Sequence, residues 1–106
     1  MKGRPEIMIP AEFEERVFTI IKQIPRGKVT TYGQIAYMAK FPRHSRLVGS
    51  LLKKSVRPKT VPCHRVVNSM GRLVPGWEEQ RYLLEEENVP FKPNGYVNLK
   101  LAFWQG

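Results

Sequence analysis

A chain of 106 residues holds one ordinary core and is too short for two full domains. Eighteen Lys and Arg stand against nine acids, all of them Glu, and the net charge of +9 points to a polyanionic partner, nucleic acid first among the choices. One cysteine excludes an internal disulfide, and no apolar run reaches the length of a signal peptide or a transmembrane helix; a cytoplasmic protein (nucleoid-associated in a bacterium) with no membrane partner is therefore expected.

Residues 1–10, with Pro5 and Pro10, read as a flexible lead-in to a domain spanning 11–106. From Ala11 to Ile24 the apolar residues Phe13, Val17, Ile20, Ile21 and Ile24 recur at helical spacing, and Pro25-Arg26-Gly27 ends that helix. Lys28-Val29-Thr30 is an extended connection. Thr31 and Gln34 have the spacing of a capping box, which predicts a second helix from Tyr32 to about Ala39. Phe41-Pro42 breaks it. A third helix is expected from Ser45, as N-cap, to Lys53-Lys54-Ser55, with Leu47, Val48, Leu51 and Leu52 facing inward. Two short helices with a tight connection, the second opening on basic residues, form a helix-turn-helix pattern.

A Pro-bounded loop from Val56 to Pro62 leads into Cys63-His64-Arg65-Val66-Val67, and Asn68-Ser69-Met70-Gly71 is a turn. A last helix is predicted from Glu78 to Glu87 with Tyr82, Leu83 and Leu84 buried. In the tail, Pro90, Pro93 and Gly95 punctuate a segment whose Val97, Leu99 and Leu101 alternate like a short strand. The fold expected is mainly α, a winged-helix-like helix-turn-helix domain with little or no sheet.

The charge is not spread evenly. No acid occurs between Arg16 and Trp77, while thirteen Lys and Arg fall in that stretch, so the middle of the chain should present a positive face. Cys63 lies within it. Pro62 fixes the backbone before the thiol, and His64 and Arg65 both favour the thiolate. Neighbours on a regular strand point to opposite faces, so contact between Cys63 and His64 requires a turn or a bridging water. A carboxylate could fix the imidazole tautomer, and spacing leaves Glu85, Glu86 and Glu87 equally open. One Cys with His44 and His64 makes a poor metal set, so no metal is expected.

Pro62-Cys63-His64-Arg65-Val66-Val67 resembles the active-site motif of the O6-alkylguanine-DNA alkyltransferases. Ile24 to Ala36 resembles that family's approach to its helix-turn-helix, Ser45-Arg46-Leu47-Val48-Gly49-Ser50 the start of its recognition helix, and Arg81 to Glu87 the helix carrying its glutamate. The resemblance covers roughly residues 11 to 90. It implies that Cys63 is the alkyl-accepting thiolate, that His64 deprotonates it through a water, and that Glu87 orients the histidine. It implies also that Arg46 enters the minor groove, that Gly49 and Ser50 lie against DNA, and that Tyr32 rotates the damaged base out and contacts it. The base pocket implied comprises Tyr32, Pro62, Cys63, Val66 and Trp77, with the carbonyls of Cys63 and Val66 accepting from the guanine amino group. A base inside the stack cannot be reached, which is the physical reason for extruding it.

The chain departs from the full alkyltransferases in three ways. It shows no additional N-terminal domain, Ser55 stands where an Asn usually braces the active-site turn, and the 71–78 loop is short and carries Pro75-Gly76-Trp77. These features, with the tail from Tyr96 to Trp104, resemble the alkyltransferase-like proteins, which bind O6-alkylguanine without repairing it and pass it to nucleotide excision repair. Those proteins typically carry Trp or Ala at the position of Cys63. Two expectations follow for a monomer on double-stranded DNA containing alkylated guanine. One is stoichiometric alkyl transfer to Cys63, for which no cofactor is needed. The other is a non-enzymatic lesion sensor.

Overall fold

The computed structural model describes residues 11–54 and 61–106, apart from the side chain of Lys54. The expected lead-in over 1–10 and the brace position Ser55 lie outside the described residues. The elements in chain order are α1 (Ala11–Lys22), β1 (Thr30–Thr31), α2 (Tyr32–Met38), α3 (Ser45–Lys54), a 3-10 turn (Cys63–Arg65), β2 (Val66–Val67), α4 (Glu79–Glu86) and α5 (Leu99–Ala102). Among the described residues no helix is long and apolar enough to cross a membrane.

α1 buries Phe13, Val17, Ile20 and Ile21, and Glu12 and Glu14 favour its N-terminal end electrostatically. It ends two residues before the expected Ile24. There the N–H groups of Gln23 and Ile24 donate to the carbonyls of Ile20 and Ile21, three residues back, and Gly27 at φ 88° turns the chain away. The predicted cap of α2 is present in half. Thr31 Oγ1 accepts from the N–H of Gln34 at 3.1 Å, but the Gln34 amide donates to the carbonyl of Gln105 instead of returning to the cap. Phe41 sets the turn into α3, meeting Phe13 edge-on at 5.2 Å with His44 beside both rings. Ser45 is the first helical residue rather than the cap, since the carbonyl of His44 already accepts from Leu47 and Val48.

β1 and β2 pair in parallel, Thr30 with Val66 and Thr31 with Val67. This short pair divides the interior. Adjacent strand residues face opposite ways, so Val66 joins the core built on α1, α2 and α3 while Val67 joins a second core with Val29, Leu84, Val89, Val97 and Ala102. The helix-turn-helix domain with little sheet is thus as the sequence predicts.

Two expectations are corrected. In α4 the buried positions are Gln80 and Leu84, with Glu87 one turn on, whereas Leu83 is half-buried and Tyr82 is 69% exposed. A helix turns by about 100° per residue, so Tyr82 cannot share the inward face that Gln80 and Leu84 occupy. In the tail, Leu99–Ala102 is a helical turn, not a strand. Leu99 and Ala102 face inward at helical spacing and Leu101 points to solvent, while Val97 bridges Phe91 and Phe103 bridges Val29.

Gly71 has φ 89°, and a Cβ there would come within 2.4 Å of the Val97 carbonyl oxygen. Gly71→Ala should therefore cost at least about 2 kcal/mol. Gly33, in α2, has open space around it, and Gly33→Ala should stabilise by up to about 1 kcal/mol through helix propensity. Chemical melts of the two variants check this, and equal shifts would contradict the packing described.

Candidate functional site

The 3-10 turn sets where the side chains of Cys63, His64 and Arg65 point. With three residues per turn, successive side chains leave the axis about 120° apart. Pro62 opens it, the Cys63 N–H donates to Val61, that of Arg65 to Pro62, and that of Val66 to the carbonyl of Cys63. Cys63, 4% exposed, lines a cavity, while His64 and Arg65 both reach Glu87.

Glu87 sits at the C-terminal cap of α4, where Asn88 at φ 63° ends the helix. Its Oε2 lies 2.7 Å from His64 Nε2, its Oε1 accepts from the N–H of Gly27 at 3.0 Å, and Arg65 donates to both oxygens from Nε (3.0 and 3.2 Å) and to Oε2 from Nη2 at 2.9 Å. The last guanidinium arm, Nη1, donates to the carbonyl of Ile24 at 2.7 Å. Burial alone would push the Glu87 carboxyl up, but the Arg65 and His64 hydrogen bonds and the Gly27 N–H together outweigh it and hold the group at about 2. Glu87 is therefore an acceptor only, so the facing His64 Nε2 must carry a proton. A neutral ring so held keeps its lone pair on Nδ1. Glu85 is paired to Arg81 on the surface and Glu86 is exposed, which resolves the three-way choice that spacing left open.

A cavity of about 510 Å³ opens between α3 and the loop before α4. It brings together Tyr32, Arg46, Gly49, Ser50, Cys63 and Trp77 of the expected residues. Arg46, Gly49, Ser50 and Lys53 are spaced i, i+3, i+4 and i+7, so they form one face of α3, while Val48, Leu51 and Leu52 anchor it to the core. Val66 is fully buried in the core, and neither it nor Pro62 lines this cavity by its side chain; Leu52, Lys53, Val74 and Pro75 complete the lining. Among the described residues no three His, Cys, Asp or Glu side chains are grouped to hold a metal.

Sequence reasoning did not find the clamp role of Arg65, because its partner lies 22 residues away. Nor did it find Gln80, buried and bonded to two sides of the cavity. A polar residue four before Leu84 and seven before Glu87, on the inward face of α4, was the available signal for Gln80.

Residues 12–89 match the family model for the DNA-binding domain of 6-O-methylguanine DNA methyltransferase. A DNA base-flipping protein of Escherichia coli is 40% identical over 95 residues, covering 87% of this chain and 74% of that one. A methylated-DNA–protein-cysteine methyltransferase of Methanocaldococcus jannaschii is 42% identical over 88 residues, covering 78% of this chain but 52% of its own length. In structure, Schizosaccharomyces pombe Atl1 bound to damaged DNA containing O6-carboxymethylguanine aligns with a TM-score of 0.82 at 35% identity, covering 93% of this chain and all of that one.

The Glu87 cluster has a pH signature. Its folded value of about 2 lies below the ordinary 4.5, so the stabilisation is complete above 4.5 and lost as pH falls through 2. The wild type should lose roughly 3 kcal/mol across that window beyond what Glu87→Gln loses. Urea melts of both proteins at stepped pH check this, and parallel curves would remove the claim.

Proposed function

The chain belongs to the 6-O-methylguanine DNA methyltransferase family through its DNA-binding domain, and from that premise we propose that it is a DNA repair protein that captures extruded O6-alkylguanine in the cavity beside Cys63. The observation that carries this reading is a thiol in the wall of a cavity large enough to admit a base, on a turn whose next residue is an imidazole held by a carboxylate.

The DNA-facing element is α3. Arg46, exposed near its start, is positioned to enter the minor groove and fill the gap left by the displaced nucleotide. Gly49 supports this reading: no neighbour within 4 Å demands the absence of a side chain, although a helical glycine costs about 1 kcal/mol. A smooth face there lets a DNA backbone approach closely, with Ser50 beside it. Tyr32 and Trp77 offer flat surfaces to the base inside the cavity. The carbonyls of Cys63 and Val66 serve the guanine amino group.

Chemistry follows from the same atoms. His64 takes the thiol proton through a water, the Cys63 sulfur attacks the alkyl carbon, and the carbon–O6 bond breaks with its electron pair going to guanine. Guanine regains a proton, and the protein keeps a thioether. Because sulfur is consumed, the reaction runs once per molecule and uses no cofactor.

A second reading keeps the capture and omits the transfer, leaving a lesion sensor that passes damage to nucleotide excision repair proteins. One observation favours it. The E. coli relative that aligns with most of this chain is a base-flipping protein.

Intact mass after incubation with an O6-methylguanine duplex separates the two. The transfer reading expects the protein to gain one methylene, absent in Cys63→Ala, with an unmodified guanine left in the DNA. An unchanged mass under saturating lesion binding would assign the sensor role.

A further inference from the structure

Gln80 carries no charge and touches no solvent, yet it makes three hydrogen bonds that join two sides of the cavity. Its Oε1 accepts from the N–H of Val74 at 2.7 Å, and its Nε2 donates to the carbonyls of His64 at 3.0 Å and Val66 at 3.1 Å. Val74, Pro75 and Trp77 form one wall of the cavity, α3 faces them, and the turn carrying Cys63 forms a further side. The wall is fastened to the start of α4 a second time, because the Gln80 N–H donates to the carbonyl of Trp77, whose own N–H donates to that of Val74.

We propose that Gln80 is a positioning residue whose side chain holds the Val74–Trp77 wall in register with the Cys63 turn and thereby sets the selectivity of the cavity for a flipped damaged base. This rests on the capture reading above and names what gives the cavity its shape. An amide suits the task because a single planar group supplies the acceptor for that wall and the donors for the Cys63 side. Buried and fully bonded, it holds both peptide segments at fixed separation.

The α3 face is anchored elsewhere, by Val48, Leu51 and Leu52 in the first core. Disturbing Gln80 should therefore separate two affinities that a general loss of structure would move together. Gln80→Glu keeps the acceptor for Val74 but places a carboxyl against two carbonyls. Gln80→Met keeps length and apolar volume and removes all three bonds. For both, affinity for undamaged duplex should stay within about twofold, while the ratio of O6-methylguanine to undamaged affinity falls about tenfold, or roughly 1.4 kcal/mol. A second measurement needs no variant: in the unmutated protein the Gln80 side-chain amide signals should shift on the lesion duplex and exchange more slowly with solvent than on undamaged duplex.

Folded variants with an unaltered ratio overturn the tether, as do amide signals identical on the two duplexes, even if both variants unfold. A wild-type protein that fails to discriminate the lesion duplex at all sinks the capture reading itself, whereas a discriminating wild type with unaltered ratios in both folded variants sinks only the role given to Gln80.

Discussion

Two chain segments converge on the carboxylate of Glu87, which itself ends a third. The N–H of Gly27 comes from the turn after α1, His64 and Arg65 come from the 3-10 turn, and Glu87 itself closes α4; Arg65 then reaches on to the carbonyl of Ile24. A buried charge is tolerated only where such donors replace the lost water, and here every partner belongs to an element that shapes the site. The cluster therefore does two jobs through one set of atoms. It locks the second half of the chain to the first, and it fixes which nitrogen of His64 is free to act as a base.

The rest of the site follows from two periodicities. The 3-10 repeat sends Cys63 into the cavity while its two successors turn to Glu87, so one tripeptide serves chemistry and architecture together. The helical repeat of α3 divides apolar anchors from Arg46, Gly49, Ser50 and Lys53, and this second face is a wall of the cavity. On the proposed function, recognition of the backbone and capture of the base share one helix. Capture requires the walls to keep their spacing when the base enters, which directs attention to Gln80 rather than to the reacting residues alone.

Much of this is legible in the sequence because it is local. The apolar spacing of α1, the Thr31 cap and the break at Phe41-Pro42 depend on residues within a few positions, and the Cys63 motif is contiguous. What escapes is decided at long range. Glu87 could be told from Glu85 and Glu86 by family resemblance but not by spacing, since its partners lie 22, 23 and 60 residues away. Tyr82 looks like a core residue, yet the inward stripe is claimed by Gln80 because two peptide carbonyls and an N–H there require a polar partner. Leu99 and Leu101 alternate as a strand would, but Ala102 packs beside Leu99 at helical spacing and the chain coils.

The central claim is that the cavity between α3 and the Cys63 turn receives a base turned out of duplex DNA. A crystal structure of Cys63→Ala bound to a duplex containing O6-methylguanine tests it most directly. The account predicts the damaged base inside the cavity against Tyr32 and Trp77, its alkyl group toward position 63, and Arg46 in the vacated space of the helix. A damaged base still stacked in the duplex, with α3 resting on the backbone and the cavity empty, would contradict it.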